Sequence, residues 1–238
     1  MFCPKDINLI AGFPAFRRLF INLLLSQSNH EYITDLSRYT QSVNQRNALL
    51  KKNQLQGIGF SFLWRSSYSV SRQKSIVLFN DILTKTLHRL EFKDFFTIKY
   101  KGSVSDSPDD YNKTKLQILK LLEKNISKEI MLKRTLYGPH RDDSVALFAS
   151  EEQKRSLLAL IKMTEHYFLK FNFPEINPIF CLDDLNISLD VERSSNILSE
   201  FSRIGQSFIT SCNSISDETL PGNIIFIDSR HSVSILKI

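Results

Sequence analysis

Apolar residues recur along this chain at helical spacing for its first half, and the pattern changes after about residue 134. From Pro14 onward, Phe16, Leu19, Phe20, Leu23 and Leu24 fall every three or four positions and describe a wide apolar helix face. Proline is tolerated in the first turn of such a helix. Ser28-Asn29 interrupts the pattern. Ile33, Leu36, Tyr39, Val43, Arg46 or Asn47, and Leu50 then carry a second, long helix over about 32–52, and the polar triplet Gln45-Arg46-Asn47 interrupts its apolar seam. Ile76, Phe79, Leu83, Leu87 and Leu90 mark a third helix, and Leu116, Leu119, Leu122, Ile126 and Ile130 a fourth. Between these, Phe96, Ile98 and Tyr100 alternate as in a half-buried strand, and the Ser-Asp-Pro-rich segment 102–112 reads as a solvent loop. Residues 1–12 read as a strand end and loop, and 53–70 as a turn and a poorly defined helix.

Later in the chain, strands and helices alternate, the signal of an α/β layer. Thr135 to Asp143 reads TLYGPHRDD, a tight turn followed by an unusual polar cluster. Its Arg141 suits a phosphate or a carboxylate, or simply a surface ion pair on a capped loop. Ser150 is a natural N-cap, with Glu151 and Glu152 in the first turn and Gln153 completing a capping box. The helix so opened runs to about Phe171, with Leu157, Leu158, Ile161 and Phe168 inward, and its N-terminus is suited to an anion. The stretch Ile179-Phe180-Cys181-Leu182-Asp183-Asp184 then runs four apolar residues into two acids, and Asp190 follows after a short turn. A continuous apolar run suits a strand buried on both faces in a parallel sheet, and ligands of open α/β sheets lie beyond the carboxyl ends of such strands. The acids are a nucleotide-site pair or the exposed end of a buried strand. A helix over 191–203, a second buried strand at 207–210 and short strands at 223–228 and 232–236 complete the alternation.

Bulk composition narrows the class. With 238 residues, 42% hydrophobic and 24% charged, the chain is long enough for one large or two small cored domains. No apolar run reaches membrane-spanning length, the start lacks a signal-peptide layout, and Cys3, Cys181 and Cys212 are too scattered for a metal cluster or disulfide framework. A reducing cytoplasm fits. Thirty-one Lys and Arg against 25 Asp and Glu leave a net charge of +6, which favours a polyanion such as DNA. Among only seven glycines, none forms the phosphate-cradling G-x-x-x-x-G-K-[ST] loop.

Several ordered stretches together resemble the RecF family of bacterial ABC/SMC-like ATPases. Phe2-Cys3-Pro4-Lys5-Asp6 with Gly12-Phe13-Pro14 and Arg17-Arg18 is similar to that family's opening stretch. Leu36-Ser37-Arg38-Tyr39 and Gln45-Arg46-Asn47-Ala48-Leu49-Leu50-Lys51 match its helical arm, and Gly138-Pro139-His140-Arg141-Asp142-Asp143 its GPHRDD turn. Ala149-Ser150 with Gln153 and Arg155 looks like its signature, and Leu182-Asp183-Asp184 with Leu189-Asp190 like its Walker B and D-loop. The resemblance implies an α/β P-loop NTPase head of ABC/SMC type, incomplete at its N-terminus, with an inserted α-helical lobe. Residues 1–13 and 133–238 would belong to the head and 14–132 to the second lobe.

By the same resemblance, Asp183 would hold Mg2+ and Asp184 would position the hydrolytic water. Ser150, Gln153 and Asp190 would serve ATP and the interface of an ATP-dependent homodimer. Arg17, Arg18, Arg46, His140 and Arg141 are the candidates for DNA or phosphate contact. The implied function is DNA binding in replication, repair and recombinase loading, with RecR and RecO as partners. This sequence departs from the family at the phosphate loop, at Glu152 in place of the signature glycine, and in a shortened segment after Asp143. Three readings follow: a RecF whose N-terminal part lies elsewhere, a non-catalytic DNA-binding or interaction remnant that cannot bind ATP alone, or a degenerating gene product with no retained activity.

Overall fold

The computed structural model describes residues 4–54, 67–92, 96–103, 111–147, 151–182, 199–200, 203–210, 223–227 and 233–237. The chain divides into two compact units. One comprises Ile7–Thr84 and Phe96–Phe148, the other Met1–Asp6, Lys85–Phe95 and Ala149–Ile238.

The opening of the chain is helical rather than extended. A 3-10 turn at Pro4–Ile7 leads into the short helix α1, Asn8–Ala11. The segment is too short for its apolar residues to reveal a period, and its local hydrogen bonds decide the matter. Gly12 closes the turn by donating its N–H to the Asn8 carbonyl at 3.0 Å, and a Cβ at Gly12 would collide with that oxygen.

In the helical unit, α2 spans Pro14–Ser28 with proline at its start, and α3 spans His30–Lys51. Asn29 separates them and caps α3, its side-chain oxygen accepting the N–H groups of Glu31 at 2.9 Å and Tyr32 at 3.3 Å. The buried face of α2 is Ile21, Leu24 and Leu25, whereas Phe16, Leu19 and Leu23 are exposed. The helix is apolar on two sides, so periodicity alone picks a face about one residue out of phase. In α3 the inward positions are Tyr32, Tyr39, Val43, Arg46 and Leu50, and Ile33 is exposed.

Helix α4, Ser67–Arg89, buries Ile76, Phe79, Leu83 and Leu87, and Leu90 just past its end is also buried. The Phe79 ring meets Phe20 of α2 edge-to-face at 6.2 Å. Strand β1, Thr97–Lys101, pairs antiparallel with β2, Asp143–Leu147, and Lys101 lies opposite Asp143. Phe96, Ile98 and Tyr100 are all buried. The Asn80 amide closes the other edge of β1, exchanging two 2.9 Å bonds with the Ile98 backbone. The fourth expected helix is two: α5, Tyr111–Lys124, and α6, Ile126–Leu132. Asn125 breaks the run, its side-chain amide bonding back to the Leu121 carbonyl at 2.7 Å. Lys133, in the left-handed region at φ 53°, ends α6.

In the second unit, α7 covers Glu151–Asn172 and buries Leu157, Leu158, Ile161 and Phe168 as expected, together with Leu160 and Met163. Strand β3, Phe180–Leu182, pairs parallel with β4, Ser207–Ile209. His166 of α7 meets the Phe180 ring edge-on at 6.1 Å. Phe180 and Leu182 are buried, but Ile179 and Phe208 are more than half exposed. The expected second buried strand is thus not buried: β4 pairs only with β3 among the described residues, and its central side chain faces outward. Strands β5, Asn223–Ile227, and β6, Val233–Lys237, form an antiparallel ribbon. The body of the expected helix over 191–203 lies mostly outside the described residues, which show helical turns at 199–200 and 203–204.

Candidate functional site

The acidic strand end is held by two backbone bonds. Phe180 N–H donates to the Gln206 carbonyl at 3.0 Å, and Thr210 N–H donates to the Leu182 carbonyl at 2.9 Å. Parallel pairing therefore continues through the last residue before the acids. Asp183, Asp184 and Asp190 themselves lie outside the described residues, as does Ser150; Gln153 lies within α7, but its side chain is outside them.

Tyr167 of α7 joins a polar cluster centred on buried Glu200. The Tyr167 hydroxyl donates to Glu200 at 2.6 Å, and Glu200, 2% exposed, also takes Arg89 and Arg203, each at 3.2 Å. The Arg89 guanidinium lies 4.4 Å above the Tyr167 ring. Burial, reinforced by the Glu200 carboxylate that accepts its hydrogen bond, pushes the Tyr167 phenol above its ordinary range. The raised pKa keeps the phenol protonated, so Tyr167 serves as a hydrogen-bond donor to Glu200.

The 138–143 turn is the most densely bonded feature of the helical unit. Gly138 sits at φ +126°, a region that disfavours side chains, and a Cβ there would lie 2.6 Å from the Tyr39 hydroxyl. Arg141 N–H closes the turn onto the Gly138 carbonyl at 2.8 Å. The Pro139 carbonyl accepts Arg72 Nη1 at 2.8 Å, while the same guanidinium reaches the Tyr32 hydroxyl at 3.0 Å and the Asn22 amide oxygen at 2.5 Å. Asp142 is buried and accepts the Tyr100 hydroxyl as well as the Ser103 N–H at 2.7 Å and hydroxyl at 2.8 Å. Asp143 receives a two-pronged Arg17 at 2.7 and 2.9 Å and the Ser144 N–H at 2.8 Å. Its partial burial raises its pKa, but these donors outweigh that and bring it below the usual carboxylate value.

His140 packs beneath the turn. Its Nδ1 is 2.7 Å from the Tyr39 hydroxyl and its Nε2 is 3.3 Å from the Thr135 carbonyl. A neutral ring protonated at Nε2 satisfies both contacts. Burial holds the ring neutral, with a pKa pushed down to about 4; the bond to Thr135 opposes this, and the charges of Arg141, Arg18 and Arg46 add to it.

The five cationic candidates separate by geometry. Arg46 is buried, with Nη2 on Glu129 at 2.7 Å and Nη1 on the Thr135 hydroxyl at 2.9 Å, and does not face solvent. Arg17 is committed to Asp143, and His140 is a neutral, packed ring. Arg18 gives one N–H to the Asp142 carbonyl at 3.1 Å, and exposed Arg141 reaches the Thr135 carbonyl at 3.3 and 3.2 Å. The structure thus brings Arg17, Arg18, His140 and Arg141 to one turn, with Arg46 tied to its base through Thr135. Sequence reading misses Arg72, Tyr32, Tyr100, Ser103 and Glu129. Tyr100 counts there only as an apolar strand position and Tyr32 only as the start of a helix, and no local pattern marks a distant partner such as Arg72.

No family model matches the chain. Over 253 residues it is 34% identical to the DNA replication and repair protein RecF of Chlamydia abortus, covering 99% of this chain and 67% of that protein. It is 34% identical to that of Chlamydia caviae with the same coverage, and 30% identical to that of Protochlamydia amoebophila over 87% of this chain. Among solved structures, the recombination mediator protein RecF with ATPrS in the RecFOR pathway superposes with a TM-score of 0.76 at 25% identity, over 90% of this chain and 62% of that one. The ATP form superposes at 0.79 and 24% identity, over 99% and 66%. The chain thus spans about two thirds of the length of its relatives. Its fold is that of a partial ABC/SMC-like P-loop ATPase head with a helical lobe, and the chain belongs to the RecF family.

Proposed function

We propose that this chain works in DNA replication, repair and recombination, binds DNA, and does so in connection with ATP. The observation that carries the reading is the match along 99% of the chain to proteins named for DNA replication and repair, joined to solved neighbours holding ATP or ATPrS. Residues 1–13 and 133–238 would make up the head lobe and 14–132 the second lobe. RecR, RecO and an ATP-dependent second copy are the partners proposed by kinship. Among the described residues no helix is long and apolar enough to cross a membrane; a cytoplasmic location is part of the proposal.

The chemistry of the nucleotide site is proposed from the strand end. Asp183 and Asp184 follow directly on Leu182, whose carbonyl is still paired to β4, the position at which open α/β sheets meet their ligands. Two adjacent carboxylates suit Mg2+, a hard cation that takes one or two protein carboxylates alongside phosphate oxygens. Asp183 would hold it and Asp184 would orient water, while Ser150 and Gln153 would serve ATP held by the second copy and Asp190 would sit at the interface between the copies. When bound, Mg2+ supplies charge neutralisation for the phosphates. The amides and lysine of a phosphate loop are not among these 238 residues, so the donors present fit the metal but not the whole nucleotide.

Calorimetry with MgATP tests this. The chain alone is expected to give no binding heat. A mixture with a P-loop-bearing fragment of the Chlamydia abortus relative is expected to bind, and Asp183→Asn to lose it. A mixture without binding refutes the ATP part. The lack of that loop among these residues, together with Glu152, favours a second reading, a DNA-binding remnant indifferent to ATP. That reading predicts the same DNA affinity with and without nucleotide.

A further inference from the structure

Strand β1 carries two exposed lysines, Lys99 and Lys101, alternating with buried Ile98 and Tyr100. Both therefore stand on the outer face of the β1–β2 ribbon. Lys101 lies opposite Asp143, and directly opposed residues of an antiparallel pair share a face. That face also receives Arg17, through its two bonds to Asp143. One step back along the chain, Arg18 bonds the Asp142 carbonyl, and Arg141 precedes the two acids.

Charge at this place is unbalanced. Five cations, Lys99, Lys101, Arg17, Arg18 and Arg141, stand on β1, in the first turns of α2 and on the turn entering β2, as against two carboxylates there, Asp142 and Asp143. Those carboxylates are already served: Asp142 by Tyr100 and Ser103, Asp143 by Arg17 and Ser144. Arg18 and Arg141 spend their bonds on carbonyl oxygens. Among the described residues, Lys99, Lys101, Arg18 and Arg141 make no salt bridge. Partial burial depresses the Arg18 pKa, with the charges of Arg72 and then Arg141 adding to the effect against the opposing pull of Asp143 and Asp142. Gathering like charges on one face is unfavourable unless an anion spans them.

We propose that Lys99, Lys101, Arg18 and Arg141 form a track for the phosphodiester backbone of a nucleic acid, with the Arg17–Asp143 pair fixing α2 against it. The track contacts phosphate and positions the strand, the part of recognition that carries no sequence information. Arg46 and His140 are not part of it. This assignment rests on the DNA-binding reading above and gives it a place on the surface.

Fluorescence anisotropy of the full chain with a labelled single-stranded and a labelled duplex oligonucleotide, titrated with salt, tests the track. Each phosphate contact removed lowers the slope of log K against log salt by about 0.9 on duplex and about 0.7 on a single strand. Lys99→Gln with Lys101→Gln is expected to lower the slope by about 1.8 and about 1.4 respectively. Neither lysine side chain makes a bond inside the fold among the described residues, so this pair leaves the melting temperature unchanged. Arg18→Gln and Arg141→Gln are expected to lower the slope further, and Lys51→Gln with Lys52→Gln, at the end of α3, to lower it less than the β1 pair does. If the wild type binds with a salt slope that the β1 pair does not change, the track is wrong and the DNA reading stands. If the wild type shows no salt-dependent binding to either oligonucleotide, both fall together.

Discussion

The Arg46–Glu129 pair offers the sharpest test of how the helical unit is held together. The two charged groups meet at 2.7 Å with side chains 2% and 0% exposed. Glu129 uses its other oxygen to accept the Leu136 N–H at 2.6 Å, and Arg46 uses its other terminal nitrogen on the Thr135 hydroxyl at 2.9 Å. The pair thus ties α3 to α6 and to the chain entering the 138–143 turn. Removing one member of a buried pair leaves the other charge uncompensated, which costs about 3–5 kcal/mol. Arg46→Met and Glu129→Gln should each fall in that range. The double variant leaves no buried charge, and the glutamine amide oxygen still accepts the Leu136 N–H, so its cost should be well below the sum. The expected coupling is about 2–3 kcal/mol, the upper part of the range for residues in one network. Urea unfolding followed by far-UV circular dichroism gives all four stabilities, provided each variant retains one cooperative transition for this unit. Additivity of the two single variants within about 0.5 kcal/mol would refute the claim that the pair acts as a unit.

Other expectations concern the same unit and, in the last case, the second one. His140 carries a depressed pKa of about 4, so between that value and the unfolded value near 6.5 the unfolded chain binds the extra proton. Its contribution is complete above about pH 6.5 and is lost toward pH 4, to a total of about 3 kcal/mol; His140→Gln should flatten the urea midpoint measured across that window. Gly138→Ala forces a side chain into φ +126° and against the Tyr39 hydroxyl, and should cost about 1–3 kcal/mol. Adding Tyr39→Phe should recover only the contact part of that loss in thermal melts. In the second unit, Tyr167→Phe deprives buried Glu200 of one donor, an expected loss of about 1–3 kcal/mol read by denaturation.

What the sequence made legible was whatever has a period. Helix α4 and strand β1 sit where Phe79, Leu83, Ile98 and Tyr100 placed them, and the apolar run before Asp183 is a strand in parallel pairing. Periodicity failed where two solutions share it. Leu119, Leu122, Ile126 and Ile130 keep helical spacing straight through Asn125, so nothing announced the break between α5 and α6. In α2, apolar residues on both sides left the buried face undetermined. Exposure of Phe208 in β4 depends on which strands flank it, a nonlocal fact that a run of apolar letters does not carry. The turn itself was visible from Gly138 and Pro139, but its anchors were not. Arg72 reaches Pro139 from 67 positions away, and Tyr39 reaches His140 from 101. Only a folded chain brings such groups together.

The stretches that first suggested kinship divide into two physical kinds. Asn47 accepts both the Thr135 N–H and its hydroxyl, at 2.7 and 2.9 Å, and Arg46 bonds the same hydroxyl. The triplet Gln45-Arg46-Asn47 and the chain entering GPHRDD are thus two sides of one packing contact. Within the turn, Gly138, His140, Asp142 and Asp143 likewise spend their polar groups inside the fold. A side chain whose hydrogen bonds are consumed internally has little left for a phosphate, so resemblance at these positions argues for shared architecture. Arg141 differs, since its planar fork rests on one carbonyl and its side chain is exposed. The distinction between cations that anchor the fold and those still open to a ligand is therefore set by which donors the fold has already used, and it is the reason the proposed phosphate track takes two exposed lysines on β1 and leaves out Arg46 and His140.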